Sequence, residues 1–324
     1  MVLEKLVPEA WLERKPAYGF LMGMGYSIVG IILGALIFKK DPAIPSVAFT
    51  TLFLIPIMHR LFTIEEEEKS KDKTFSWKTL YNQNKDIFWT YMCLFLGIFL
   101  IFSVAAATLP AFQVNKLFRE QLGLRAGEAV ATGTAPGAGM ASATGMVVTD
   151  MNFALTPDGQ ILDKAQGGQT VFFTELFWKI LLNNWWVLLA TGILALLAGE
   201  GGIFFVTWNA SVWGTIFGVT ARNAAVFSQQ NALWLLVIIL AIVLPHVFLE
   251  IGSYILTGIS AGIFSSAIGK EKLFSPTMRT VTLYCLGILL VGIVFLFAGA
   301  LVETYVLGNN ITYQTIIANS YFGR

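Results

Sequence analysis

The chain has 324 residues, 56% of them hydrophobic and 13% charged, and its formal net charge is +1. Soluble domains carry roughly 25% charged residues, so this composition excludes an ordinary soluble protein and indicates a membrane protein with several spans. A net charge so near zero also gives no electrostatic reason to expect nucleic acid as a partner.

The N-terminal block, residues 1–110, is predicted to hold about three membrane spans. A bilayer core of about 30 Å needs about 20 apolar residues per helix. Stretches of this kind are Tyr18–Phe38, Ile44–Phe62 and Ile87–Leu109. A charged loop near residues 64–86 separates the last two. It opens with consecutive glutamates and continues with lysines, which predicts a solvated linker or, alternatively, a docking site for a basic partner.

Residues 111–170 are predicted to form a non-membrane segment. The segment opens with a possible amphipathic helix, Phe112–Arg119. Ala129–Gly145 then consists almost entirely of small residues. Such a stretch has few large apolar side chains to bury, so a flexible segment is expected.

The C-terminal block, residues 171–305, is predicted to hold the remaining spans and to be followed by a tail, residues 306–324. Three apolar stretches have an ordinary length when flanking residues are included: Asn184–Ala198, Ile203–Ala221 and Val281–Val302. Together with the first block and one further run, they predict an all-α, polytopic helical membrane protein with about seven transmembrane helices.

The further run, Ala232–Ile268, is too long for one straight span and too short for two. Pro245 lies in its middle and removes a backbone hydrogen bond there. We therefore expect a helix break at Pro245, with either one crossing made of two helical pieces or a re-entrant piece followed by a span.

Lysine and arginine residues indicate the orientation, because cytoplasmic loops carry an excess of them. They gather before the first predicted span, between the second and third, and before the last. Seven spans with a cytoplasmic N-terminus place all three groups inside, and place residues 111–170 and the C-terminus outside. Lys39 and Lys40 then fall outside and count against this orientation. We expect a multi-pass protein of the cell membrane, in contact with its lipids.

His246 and Glu250 are ionisable residues within the long apolar run, and their four-residue spacing places them on one helix face. Ionisable side chains at that depth are costly unless they face protein or a wet cavity. The pair indicates either a buried, hydrogen-bonded structural cluster or a proton, ion or metal half-site. The candidate partners in this intramembrane polar cluster are Asn183, Asn184, Asn209 and Glu200.

Three Gly-x-x-x-Gly spacings occur in the apolar stretches. Glycines four apart share a helix face and let a second backbone approach closely. Packing within the bundle is the expected role, and contact between subunits is the alternative. The glycines are Gly30 and Gly34, Gly214 and Gly218, and Gly258 and Gly262.

No catalytic motif is complete. Residues 258–262 match the Gly-x-Ser-x-Gly string, but that motif needs a strand–turn–helix context, so we interpret it as helix packing. The chain has no His-Glu-x-x-His zinc motif and no nucleotide-binding P-loop string. Cys93 and Cys285 lie in predicted spans as packing residues. We therefore predict a non-enzymatic protein without metal or cofactor.

The polar and glycine residues of the second block follow an order that resembles the stage II sporulation protein M family. The resemblance is carried by a paired-asparagine helix entrance, a glycine-bounded hairpin and a proline–histidine–glutamate helix. The matching residues are Asn183, Asn184, Gly199, Gly201, Asn209, Gly214, Gly218, Pro245, His246, Glu250 and Gly262. The first block resembles the longer, archaeal-type members in Glu13–Pro16, Phe49–Pro56 and the acidic patch Glu65–Glu68.

This resemblance implies an integral membrane scaffold, because the family member of sporulating bacteria holds peptidoglycan-remodelling enzymes at the division septum. The leading expectation is therefore a scaffold or assembly factor that binds other membrane proteins or forms a homo-oligomer. The alternative is a permease-like transport component that uses the polar cluster of His246 and Glu250, since transporters build mid-membrane sites on interrupted helices.

Overall fold

The computed structural model describes residues 16–69, 77–126, 173–272 and 274–322, apart from the side chains of 60–69, 77–83, 124–126, 200 and 321–322. All regular secondary structure in these ranges is helical. The helices are α1 Ala17–Ile37, α2 Ala43–Lys69, α3 Trp77–Thr108, α4 Ala111–Leu117, α5 Arg119–Ala126, α6 Thr174–Ala198, α7 Gly202–Ser228, α8 Ala232–Lys270, α9 Pro276–Asn309 and α10 Ile311–Phe322.

Among the described residues, six helices are long and apolar enough to cross a membrane: α1, α3 from Asn84 onward, α6, α7, α8 and α9. The apolar part of α2, Ala43–His59, is shorter. The all-α, polytopic membrane class predicted from the sequence is confirmed, while the count of seven spans stays a prediction.

Helix α8 is continuous from Ala232 to Lys270 and contains Pro245 in its interior. The predicted interruption at Pro245 is therefore wrong, as are the two separate helical pieces and the re-entrant piece. A proline removes a single backbone donor, and neighbouring helices in a membrane bundle can compensate for it. The flanking Val243 and Val247 are both buried, so packing holds the helix on either side of the proline. At 1.5 Å per residue, α8 is about 58 Å long and extends beyond a bilayer core.

Close glycine contacts define the directions of the first helices. A Cβ on Gly19 would meet the Thr90 carbonyl oxygen at 2.9 Å, and one on Gly23 would meet Leu94, so α1 and α3 run parallel. The α1 glycines Gly30 and Gly34 face Thr50 and Ser46 in reverse order, so α1 and α2 run antiparallel.

The two halves of the bundle meet at α3 and α7, which run parallel. Gly214 lies against the Phe99 carbonyl and Gly218 against the Ser103 carbonyl, so the two backbones touch without an intervening side chain. Helix α7 is the most enclosed of the apolar helices in the described residues, with 89% of its apolar window buried.

In the second half, α6 and α8 run parallel, and α9 runs antiparallel to α8. The hydroxyl of Ser265 on α8 donates to the Leu196 carbonyl of α6 at 2.7 Å, near the end of both helices. The hydroxyl of Ser260 donates to the Cys285 carbonyl near the start of α9 at 2.8 Å. Helices α6 and α7 are joined through Gly199, whose φ of +56° favours glycine.

These directions give the bundle two distinct ends. The end at which α8 finishes, which we call the Lys270 end, also holds the starts of α1, α3, α7 and α9. The opposite end, which we call the Leu109 end, holds the end of α3 and the starts of α6 and α8. Successive long helices thus run in alternating directions between the two ends, as in a chain that crosses a membrane repeatedly.

Candidate functional site

Hydrogen-bonded polar side chains lie where α6 and α8 meet. Asn184 of α6 donates from Nδ2 to Glu250 Oε1 of α8 at 2.9 Å. Tyr254, one turn further along α8, donates from its hydroxyl to Asn184 Oδ1 at 3.1 Å. All three residues are at most 2% exposed. Asn184 thus uses both ends of its amide to bridge two residues of a neighbouring helix.

Helix α9 adds a second carboxyl group to this group of side chains. The Glu303 side chain of α9 lies next to the Glu250 side chain of α8. An ionised carboxylate only accepts hydrogen bonds, so a hydrogen bond between two carboxyl groups requires a proton on one of them. We call Asn184, Glu250, Tyr254 and Glu303 the carboxyl cluster.

Gly299 makes the approach of α9 to α8 possible. A Cβ at Gly299 would lie 2.8 Å from Glu250 Cγ and 3.3 Å from the Glu250 backbone nitrogen. Gly299 and Glu303 are four residues apart and so share a face of α9. The glycine therefore provides the space in which the two carboxyl groups come together.

The carboxyl cluster lies far from the ends of the helices that carry it. Glu250 is about 27 Å from the start of α8 and about 30 Å from its end, at a rise of 1.5 Å per residue. Asn184 is about 15 Å from the start of α6 and about 21 Å from its end on the same measure. Two charges at such a depth are costly, so a proton on one of the two carboxyl groups would stabilise the arrangement.

His246 lies on the same face of α8 as Glu250 but does not join the hydrogen bonds of the carboxyl cluster. The residue is 5% exposed. Its Nδ1 atom is buried and has no hydrogen-bond partner among the residues that the structure describes.

The remaining predicted polar residues lie elsewhere or are not described. Asn209 donates from Nδ2 to the Phe205 carbonyl of its own helix at 2.8 Å, and its Oδ1 has no partner in the described part of the chain. Asn183 is partly buried, with an enclosed Nδ2 that also has no partner there. The side chain of Glu200 is outside the described side chains. Among the described side chains of the predicted set, only Asn184 and Glu250 are hydrogen-bonded to each other.

The Gly-x-Ser-x-Gly string lies on continuous helix α8, without the strand that a nucleophile elbow requires. Ser260 donates its hydroxyl hydrogen to the Cys285 carbonyl, which ties α8 to α9. Among the described residues, no group of three or more histidine, cysteine, aspartate or glutamate side chains is placed to hold a metal ion.

The three glycine pairs differ in how tightly they pack. Both glycines of the α1 pair and both of the α7 pair lie against the backbone of a neighbouring helix. The nearest atom to a Cβ on Gly258 is Thr191 Cγ2 at 3.8 Å, which is an ordinary contact. Gly262 is buried.

A comparison with protein families adds a separate observation. The family model for stage II sporulation protein M matches residues 129–306, which is more than half of the chain. The chain belongs to the stage II sporulation protein M family. The whole carboxyl cluster of this family member lies within the matched residues. Comparisons with curated proteins and with solved structures found no match.

Two residues of the carboxyl cluster were not predicted from the sequence of this stage II sporulation protein M family member. Tyr254 continues the four-residue series of His246 and Glu250, which is a signal that was available. Glu303 directly follows the predicted span Val281–Val302, so no apolar pattern marked it as an intramembrane residue. Helix α9 continues to Asn309, which places Glu303 inside it.

Proposed function

We propose that this stage II sporulation protein M family member is a non-enzymatic integral membrane scaffold or assembly factor. The observation that carries the proposal is the enclosed carboxyl cluster. Its polar groups meet across α6, α8 and α9, and Asn184 bonds to both Glu250 and Tyr254, as a structural cross-link does. The scaffold role implied by the family resemblance supports the same conclusion.

Hydrogen bonds between helices suit a scaffold because they fix helix positions inside a membrane. Apolar side chains gain little by leaving lipid for protein, so close packing and interhelical hydrogen bonds provide much of the association energy. In this chain, glycine contacts join α1 to α2 and α3, and α3 to α7. The carboxyl cluster joins α6, α8 and α9. The result is a rigid surface on which partners can assemble.

We place the protein in the cell membrane with its N-terminus in the cytoplasm and its C-terminus outside. Lys270, Lys272 and Arg279 lie at the Lys270 end, where α1 also starts, and cytoplasmic faces carry an excess of basic residues. The partners of the scaffold are other membrane proteins or further copies of the chain.

The test is affinity purification of the full chain from cross-linked membranes in mild detergent. We expect at least one protein partner to be recovered with the natural sequence and equally with Glu250→Gln, which keeps the hydrogen-bonded shape. A folded protein that recovers no partner and forms no oligomer would contradict the scaffold.

A permease-like transport component is the second candidate function. Two buried polar atoms without a partner in the described part of the chain favour it, namely Glu303 Oε2 in the carboxyl cluster and His246 Nδ1 one turn before Glu250 on α8. Reconstitution in liposomes with a pH-sensitive dye tests this candidate. Proton flux that depends on Glu250 and Glu303 would support the transport function and contradict the scaffold function.

A further inference from the structure

The sequence contains the triplet Asn-x-Ser/Thr in two places. One copy is Asn209-Ala210-Ser211 within α7, and the other is Asn310-Ile311-Thr312 at the junction of α9 and α10. The triplet is the acceptor sequence for N-linked glycans, which are bulky and require a surface position. A three-residue pattern is short, so the structure around each asparagine decides whether it is open to modification.

The triplet in α7 is closed. Asn209 is 0% exposed and lies in the interior of a continuous helix. Its Nδ2 atom, to which a glycan is attached, donates to the Phe205 carbonyl at 2.8 Å. This copy of the triplet therefore serves as a negative control within the same chain.

The triplet after α9 is open. Asn310 is partly exposed and has an extended backbone, with φ −87° and ψ 95°, between the two helices. Its Oδ1 atom accepts from the Tyr313 backbone N–H at 2.9 Å, whereas Nδ2 makes no hydrogen bond within the described residues. Thr312 is exposed. A glycan on Nδ2 would therefore leave the hydrogen bond to Tyr313 in place.

Asn310 also lies at the end of the bundle where a glycan is expected. Helix α9 starts at the Lys270 end, so Asn310, directly after its last residue, lies at the Leu109 end. Helix α1 finishes at the same end and is followed by Lys39, Lys40 and Asp41, which are exposed as charged residues at a membrane surface are. The orientation proposed above places this end outside the cytoplasm.

We propose that Asn310 is a site of N-linked glycosylation, with a lipid-linked oligosaccharide phosphate as the sugar donor. The Nδ2 atom forms a bond to the anomeric carbon of the sugar. The bond from that carbon to the phosphate oxygen breaks, its electron pair leaves with the phosphate, and the nitrogen loses a proton. Thr312 supplies the hydroxyl that the acceptor triplet requires two residues after the asparagine. The inference rests on the proposed orientation and not on the scaffold function.

Mass spectrometry of the full chain, purified from the membranes of its natural host, tests this inference. We expect the peptide that contains Asn310 to carry sugar in most molecules and the peptide that contains Asn209 to carry none. An unmodified Asn310 peptide would overturn the inference, and so would sugar on Asn209 alone.

A thiol-labelling experiment on Asn310→Cys in intact cells separates the two reasons for such a failure. Labelling by a membrane-impermeant reagent would show that the orientation is correct and that the site is unused. Labelling only after the membrane is opened would show that the Leu109 end faces the cytoplasm, which contradicts the orientation as well.

Exposed threonines of α10 provide matched variants that leave Asn310 intact. Thr312→Ala should abolish the sugar, and Thr312→Ser should keep it, because serine offers the same hydroxyl group. Thr315→Ala is the control, since Thr315 is exposed three residues later on the same helix and lies outside the triplet. Loss of the sugar from Thr315→Ala as well as from Thr312→Ala would contradict the triplet as the recognised signal.

Discussion

At the scale of single residues, the carboxyl cluster raises the question whether Glu250 is needed for its hydrogen-bonding shape or for its charge. Glu250 accepts from Asn184 and contacts Glu303, and both interactions need a hydrogen-bonding group of the same shape. Neither interaction needs a full charge on Glu250, because a neutral group of the same shape offers the same hydrogen-bonding positions. In the scaffold that we propose, the cluster therefore acts through its hydrogen bonds and shape, and not through charge.

Substitutions of Glu250 test this interpretation. The variant Glu250→Gln should change the thermal stability little, because its amide still accepts from Asn184 and can donate to Glu303. The variant Glu250→Leu should lower the free energy of unfolding by about 1–3 kcal/mol, since buried polar groups on α6 and α9 lose their partner. Thermal unfolding in one detergent compares the two. A Glu250→Gln protein that is stable but inactive in liposome flux would favour transport.

Tyr254 offers a second measurement at the same scale. The variant Tyr254→Phe leaves Asn184 Oδ1 without its donor and should lower the free energy of unfolding by about 1–3 kcal/mol. The control is Tyr305→Phe on α9, because Tyr305 is 53% exposed. Equal stability of the two variants in thermal unfolding would mean that the hydrogen bond to Asn184 contributes nothing.

At the scale of the helical elements, glycines determine which helices can touch. A Cβ on Gly218 would press on the Ser103 carbonyl of α3 and lie 2.8 Å from Ala106 Cβ. Helix backbones resist such a shift because the whole helix has to move. The spacing of glycines in the sequence shows where close contact is possible but not where it occurs.

The pair Gly218→Ala and Gly258→Ala tests this distinction. The first should lower the free energy of unfolding by about 1–3 kcal/mol, as overpacking in a core does. The second meets only Thr191 Cγ2 at 3.8 Å, so the better helix propensity of alanine should leave stability unchanged or slightly raised. Thermal unfolding of both in the same detergent is the measurement. A Gly258→Ala variant as unstable as Gly218→Ala would point to a contact outside the chain, such as one between subunits.

The continuity of α8 through Pro245 leads to a prediction about this helix. The variant Pro245→Ala restores a backbone donor within an unbroken helix, so stability should stay the same or rise by about 1 kcal/mol. Circular dichroism during heating measures the change. A marked loss of stability would mean that the proline ring or a bend at this position is needed for packing.

At the scale of the whole molecule, the arrangement of helix ends makes the predicted orientation testable. Cysteine is placed at Asp158 or Lys270 in a background in which Cys93 and Cys285 are alanine. A membrane-impermeant thiol reagent applied to intact cells should modify the protein with cysteine at 158 and leave that at 270 unmodified. Asp158 lies outside the described residues, and Lys270 marks the end of α8. Modification at 270 alone would reverse the orientation.

The sequence by itself determined the all-helical membrane class, the approximate spans and the pairing candidates Asn184 and Glu250. These features depend on local composition and on helical periodicity, both of which a single sequence records. The family resemblance was also contained in the order of polar and glycine residues, and residues 129–306 confirm it.

Only the tertiary structure decided which polar groups meet. The contact between Glu250 and Glu303 depends on the antiparallel register of α8 and α9, which Gly299 allows and which no local pattern encodes. The continuity of α8 through Pro245 and the contact of Gln121 on α5 with Ser211 on α7 likewise depend on packing by neighbouring helices. In a bundle held by close contacts, register is a property of several helices together, because each contact is stable only when its neighbours are in place.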